Sequence, residues 1–177
     1  KVKAEEAFKF AVKKVDQACT KGVLKANTPT YVSIKITFAK AQRVKEDSVL
    51  VVRFYAENSA WSARISTYGK DSMGESLDAY GLKDNYGKWV TLNIPVVSVL
   101  GATIGQPLSG VEFVFSGMIA IDDIKMVSLV SGLSGDQVAN FDNSQYSALV
   151  STSGNYEFNS QYKMSYEILD NGYANSS

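Results

Sequence analysis

The sequence predicts an all-β protein built as an antiparallel β-sandwich, and three observations support this prediction. Short stretches in which apolar and polar residues alternate recur along the chain, separated by turn-forming residues. No segment after residue 20 has a convincing helical period. The chain has 177 residues, which is enough to bury a core without disulfide or metal staples, so one domain over residues 1–177 is expected.

The first two elements lie in the N-terminal third of the chain. Residues 4–18 fit both a helical and an alternating pattern, and a strand is favoured because the downstream segments are all β. A turn signal at residues 27–30 precedes residues 31–38, where strict alternation predicts a half-buried strand with Ile34 and Ile36 on its apolar side.

The next two predicted strands cover residues 48–57 and 62–68. The first has an apolar face that includes Phe54, and each strand has a second face that bears arginine and tyrosine. Because the two strands follow one another, we expect them to be neighbours and to bring four outward side chains together, namely Arg53, Tyr55, Arg64 and Tyr68.

Two more regular segments follow a long loop. Residues 69–88 are rich in Gly, Asp and Tyr and predict a loop with at most a short strand. Residues 90–94 alternate and end at Pro95, which cannot donate to a strand ladder. The main body closes with strands at residues 111–115 and 118–126.

The stretch 118–126 contains two adjacent acids, Asp122 and Asp123, inside an otherwise apolar strand. Buried carboxylates without a partner cost several kcal/mol, so the pair should face a cation, a basic side chain or water. One interpretation is a calcium site, since calcium prefers oxygen ligands. The alternative is that one Asp points to solvent while the other caps the edge of the sheet.

Composition excludes several classes of function. The 18 basic and 18 acidic residues balance, which argues against nucleic acid and anionic membranes as partners. The chain contains no histidine and a single cysteine, Cys19, so Ser-His or Cys-His catalysis and cysteine zinc clusters are excluded. The apolar runs are too short for a membrane helix, and the N-terminus does not resemble a signal peptide, so we expect a segment of a longer secreted protein.

The aromatic and arginine side chains instead suggest a sugar-binding surface. Aromatic rings offer a flat apolar surface to sugar rings, and Arg hydrogen-bonds hydroxyls or pairs with uronate carboxylates. Trp61 either offers a stacking surface at the rim of the sheet or fills part of the core. Tyr80 and Tyr86 either close over a ligand or fix the long loop to the rest of the protein. Carboxylates suited to a glycosidase are present in number, but they lie in the loop or alone on strands, so no enzymatic activity is expected.

The order of four stretches resembles the β-jelly-roll carbohydrate-binding modules attached to bacterial polysaccharide-degrading enzymes. These stretches are SVLVVRFYAEN at 48–58, GKWVTLNIP at 87–95, LSGVEFVF at 108–115 and IAIDDIKM at 119–126. The resemblance covers roughly residues 22–128. It implies a jelly-roll fold, a structural Ca²⁺ at the acid pair and a packing role for Trp89. It also implies that the module binds a cellulose-like β-glucan or a hemicellulose outside the cell, and that it is attached to a catalytic domain or a neighbouring module.

One stretch is out of order relative to these modules. Their first strand usually ends in Phe and an acid, but here the matching stretch ANFDNS lies at 139–144, after the main body of residues 1–128 and a linker at 129–137. We therefore expect residues 138–177 to supply the first strands of the module, as in a circular permutant or a cut across tandem modules. Asp142 then joins the predicted calcium ligands. The alternative is a structural or adhesive cell-surface repeat that associates by strand exchange.

Overall fold

A computed structural model describes residues 23–57, 63–67, 74–128, 135–140, 149–152 and 165–169, with the backbone alone at 29–32, 39 and the last three ranges. These residues form antiparallel strands, one 3-10 helix and one short α-helix. The strands are β1 (Val23–Arg43), β2 (Ser48–Ala56), β3 (Arg64–Thr67), β4 (Glu75–Ser76), β5 (Trp89–Pro95), β6 (Pro107–Ser128), β7 (Gly135–Asn140), β8 (Leu149–Thr152) and β9 (Ser165–Leu169); the 3-10 helix is Leu77–Tyr80 and α1 is Val96–Leu100.

The sheet is organised around β6, the longest strand. One edge of β6 pairs with β1 and, beyond it, with β7; the other edge pairs with β3 and then with β2. Further out, β5 pairs with β2, β4 pairs with β3, and both β8 and β9 pair with β1. All these pairings are antiparallel, so the predicted all-β antiparallel architecture is confirmed.

The sheet curls on itself because its two longest strands change direction. The β1–β6 register shifts between Thr28 and Val32, and Gly117 of β6 takes a φ of 83°, a backbone conformation that glycine adopts at little cost. One half of the curled sheet is the section of β6 that pairs with β2, and the other half is the section that pairs with β3. Phe54 of β2 stacks on Phe113 of the second section, with ring centroids 5.5 Å apart. The two halves therefore enclose one hydrophobic core, in the manner of a sandwich.

The predicted core faces are confirmed where side chains are described. The core contains the four residues of β2 that were predicted to face inward, the inward residues of β1 and β3, and those of β5, because the side-chain period of a strand is two residues. These inward residues are Ile34, Ile36, Phe38, Leu50, Val52, Phe54, Ala56, Ala63, Ile65, Leu92 and Ile94.

The turn expected at 27–30 lies inside β1, at the point where the β1–β6 register shifts, so the strand expected at 31–38 is part of a longer one. Four further features differ from the sequence expectations. The segment after Pro95 forms α1, which buries Val96 and Leu100 at i and i+4 and ends at left-handed Gly101. The strands expected at 111–115 and 118–126 are one strand, β6, and β7 overlaps the end of the expected linker at 129–137. The fourth is sheet order: β2 and β3 are not neighbours, because each pairs with its own section of β6. The stretch 4–18 lies outside the described residues.

Candidate functional site

Two aromatic side chains from neighbouring strands meet on the outer face of the sheet, opposite the core. Tyr55 of β2 lies directly across from Trp89 of β5 in the antiparallel ladder. Their ring centroids are 5.7 Å apart, with 50° between the ring planes. Both side chains are half-buried, so each keeps part of its surface in contact with solvent. We call this pair the aromatic platform.

Arg53 adjoins the aromatic platform at the next outward position of β2. Its guanidinium carbon lies 5.9 Å from the centre of the Trp89 ring, within the range of a cation–π interaction. Its Nη1 donates a hydrogen bond to the Thr91 hydroxyl at 3.4 Å, and its Nε is buried. Arg53 and Thr91 are also direct partners in the β2–β5 ladder. The Arg53 guanidinium thus lies over the Trp89 ring and is bonded to the neighbouring strand through Thr91.

The acid pair lies on the other side of Arg53, at a β-bulge in β6. Arg53 is opposite Asp123, but the next residue of β2, Phe54, is opposite Ile121, so Asp122 is the extra residue. The bulge lets Ile121 and Ile124 both enter the core while the two acids stay out of it. Asp122 is 0% exposed and Asp123 is 2% exposed. A basic residue opposite the pair is one of the three partners that the sequence predicted.

Strand β7 of the C-terminal segment pairs with β6 at the acid pair. Asp123 is opposite Asn140 of β7, and Ile124 is opposite Ala139. The acidic strand therefore pairs with the beginning of the ANFDNS stretch, at residues 139 and 140. Thr91, Arg53, Asp123 and Asn140 form one continuous row across four strands.

The described residues do not by themselves provide a metal cage. Among them, no group of three or more His, Cys, Asp or Glu side chains could hold an ion. Calcium takes six to eight oxygens, and the two described carboxylates lie across the ladder from a guanidinium. Asp142, the third predicted ligand, lies outside the described residues, two positions beyond Asn140. The predicted calcium site therefore depends on Asp142 and stays a prediction.

Arg64, another predicted sugar-binding residue, does not join the aromatic platform. Arg64 of β3 lies opposite Val114 and donates hydrogen bonds from Nε and Nη2 to the Gly74 carbonyl at 3.2 and 2.8 Å. The expectation that Arg64 shares a face with Arg53 through neighbouring strands is wrong, since β2 and β3 do not pair. Trp61 and Tyr68 lie outside the described residues, so their proposed roles stay predictions.

The two loop tyrosines contact the protein itself. Tyr80 and Tyr86 both pack against the hydrophobic core, and the Tyr86 hydroxyl donates a 2.8 Å hydrogen bond to Oδ1 of Asp78. These contacts correspond to the expectation that the tyrosines pin the long loop. The loop returns to the sheet beside the aromatic platform, where the Gly87 amide donates to the Ala56 carbonyl at 2.7 Å.

Trp89 is the residue whose place sequence reasoning missed. The resemblance implied that Trp89 packs to anchor the strand leading into Pro95, and sequence reasoning did not predict that it packs on the outer face against Tyr55. A signal was present in the sequence, because Trp89, Thr91 and Asn93 alternate with Val90, Leu92 and Ile94, and the second set is the apolar one. The period of the strand alone places Trp89 outside.

Comparisons with known proteins give no relative. No family model matches the chain, and neither the curated proteins nor the solved structures contain a match. In the part of the chain that the structure describes, no helix is long and apolar enough to cross a membrane.

Proposed function

We propose that this protein is a non-catalytic carbohydrate-binding module that binds a plant-type polysaccharide, a β-glucan or a related hemicellulose, through the aromatic platform. The observation that carries the proposal is the meeting of Tyr55 and Trp89, with ring centroids 5.7 Å apart on the outer face of the sheet. Two adjacent, partly exposed rings offer the apolar surface on which the C–H faces of pyranose rings stack. The sheet holds both rings, so little order is lost on binding.

The rest of the proposal follows from the resemblance of the four sequence stretches to such modules. The module would hold a partner enzyme or a neighbouring module against the polysaccharide outside the cell. A structural calcium would involve Asp122 and Asp123 together with Asp142. Trp61 and Tyr68 would extend the binding surface.

The test of this proposal is a titration with soluble glucans, mannans, xylans and pectins, followed by affinity gel electrophoresis. We expect at least one β-glucan or hemicellulose to bind, and Tyr55→Ala and Trp89→Ala each to weaken that binding by about tenfold or more, the equivalent of roughly 1.4 kcal/mol. The matched control is Ile104→Ala, which removes an apolar side chain that is 54% exposed and lies outside the aromatic platform. Absence of binding across the whole panel would contradict the proposal.

A second candidate function is a structural or adhesive repeat that associates by strand exchange. The observation that favours it is that β7, β8 and β9 all pair with β1 or β6, so the C-terminal segment contributes strands to the body of the sheet. A neighbouring copy could supply the same strands. Light scattering during size-exclusion chromatography tests this candidate: concentration-dependent oligomers are expected from exchange, whereas a monomer at every concentration would contradict it.

A further inference from the structure

The charged groups around the aromatic platform determine which sugars it accepts. The Arg53 guanidinium is already engaged by the protein: Nη1 donates to Thr91, the guanidinium carbon lies 5.9 Å from the Trp89 ring centre, and Nε is buried. A ligand carboxylate would have to displace these contacts to form the two parallel hydrogen bonds that Arg makes with carboxylates. The position of Arg53 therefore suits holding the indole better than capturing an acidic sugar.

Carboxylates already stand next to this arginine. Asp123 is the ladder partner of Arg53, and Asp122 adjoins it in the same bulge. Both are almost completely buried, at 2% and 0% exposure, so water screens their charges poorly. With no calcium bound, an anionic ligand brought to Arg53 would also meet the two carboxylates of the β6 bulge, and its own carboxylate would lose hydration.

The described charges around the aromatic platform are balanced. The described side chains at outward positions of β1, β2 and β6 around the platform, together with the residue that follows β2, include three cations and three carboxylates. These residues are Lys25, Arg53, Lys125, Glu57, Asp122 and Asp123. Such a face does not attract an anionic polymer over long distances.

We infer that the aromatic platform selects neutral sugar chains over uronate-bearing ones, and that Arg53 is a positioning residue that holds the Trp89 indole. This inference rests on the proposed function, and it narrows the ligands from β-glucans and hemicelluloses to those without uronate groups. The specificity then comes from the acid pair in the β6 bulge, because Asp123 is the ladder partner of Arg53 and Asp122 adjoins it.

The test compares two soluble polymers that share a β-glucan backbone, hydroxyethyl cellulose, which is neutral, and carboxymethyl cellulose, which is anionic. Affinity gel electrophoresis of the wild-type protein at about 0.01 M salt, with a calcium chelator present, should show binding to the neutral polymer and binding at least about threefold weaker to the anionic one. Equal or tighter binding to carboxymethyl cellulose would overturn the inference and leave the proposed function standing. If no neutral glycan of any kind binds, the proposed function fails as well.

Two further measurements separate selection by charge from damage to the fold. Raising the salt to about 1 M shortens the Debye length from about 30 to about 3 Å, and the preference for the neutral polymer should shrink without any mutation. Asp123→Asn, checked for its melting temperature, should strengthen binding to carboxymethyl cellulose about threefold or more. A preference that neither salt nor a folded Asp123→Asn variant changes would overturn the role of the acid pair.

The positioning role of Arg53 has its own readout. In a Trp61→Phe background Trp89 is the one remaining tryptophan, since the chain has two. Arg53→Lys keeps the charge but loses the planar group, so Trp89 should become more accessible to acrylamide quenching and both polymers should bind more weakly by the same factor. Unchanged quenching would overturn the positioning role of Arg53, and a selective loss of binding to the anionic polymer would show that Arg53 contacts the ligand instead.

Discussion

Phe54 and Phe113 stack with their ring centroids 5.5 Å apart and 28° between their planes, although they come from opposite halves of the curled sheet. Phe54 belongs to the section where β2 pairs with β6, and Phe113 belongs to the section where β6 pairs with β3. Both rings are completely buried. Their contact is therefore a direct link between the two layers of the core.

Removing one of these rings should destabilise the protein strongly. Phe113→Ala leaves a cavity between the layers and should lower the free energy of unfolding by about 3–5 kcal/mol, as measured by urea denaturation. The control is Tyr55→Ala, which removes an aromatic side chain from the outer face of β2 next to Phe54. A loss as large for Tyr55→Ala as for Phe113→Ala would contradict the assignment of the two faces.

Gly110 is expected to be intolerant of any side chain. A Cβ at this position would lie 2.3 Å from the Ile36 carbonyl oxygen of β1, so the β1–β6 pairing would have to shift. We expect Gly110→Ala to cost about 3 kcal/mol, at the upper end of overpacking effects. Gly105→Ala is the matched control: its φ of +86° disfavours alanine, but its Cβ would meet nothing within 4 Å, so about 1 kcal/mol is expected. Both losses of stability are measured by thermal unfolding. If the two variants lose the same stability, the contact between the added Cβ and the Ile36 carbonyl oxygen is not the cause.

The ion pair between Lys35 and Glu112 should contribute to the stability of the fold. Lys35 Nζ of β1 lies 3.7 Å from Oε1 of Glu112 on β6, and the carboxylate side chain is only 4% exposed whereas the lysine is 29% exposed. Lys35→Ala should destabilise the fold by about 1–3 kcal/mol, less than for a fully buried pair because the lysine is partly solvated. Lys40→Ala, which changes an exposed lysine of the same strand, should stay within about 0.5 kcal/mol. A loss for Lys35→Ala no larger than that of Lys40→Ala would contradict this assignment.

The predicted calcium site can be tested without knowledge of the ligand. If Asp122, Asp123 and Asp142 bind calcium, then calcium at about 100 times its dissociation constant adds about 2.7 kcal/mol of stability. For a chain of this size the melting temperature should then rise by several degrees. A chelator should reverse the rise, and Asp142→Asn should abolish it. A melting temperature that neither calcium nor the chelator changes would remove calcium from the proposal.

Strand period was the part of the fold that could be predicted best. The inward residues of β2, such as Leu50 and Phe54, follow from alternation alone, because successive side chains of a strand point to opposite faces. Strand order could not be predicted in the same way. Consecutive strands are usually neighbours, but β2 and β3 instead follow one another along one edge of β6, since β6 is long enough to serve both halves of the sheet.

The candidate site was predicted only in part for the same reason. Arg53 and Tyr55 are two residues apart on one strand, so their common face follows from the sequence. Trp89 joins them through the register between β2 and β5, which no local pattern specifies. The β6 bulge is similar: two acids between Ile121 and Ile124 break the alternation, and only the pairing with β2 shows that the extra residue is Asp122.

The measurement that tests the central claim most directly is a fluorescence titration of the Trp61→Phe variant, in which Trp89 is the remaining tryptophan. Addition of a soluble neutral β-glucan or hemicellulose should shift the Trp89 emission to shorter wavelength in a saturable manner, because a stacked sugar ring excludes water from the indole. Tyr55→Ala in the same background should weaken the response by about tenfold. Binding of the polysaccharide in a gel without any change in Trp89 emission would contradict the claim that the aromatic platform is the binding site.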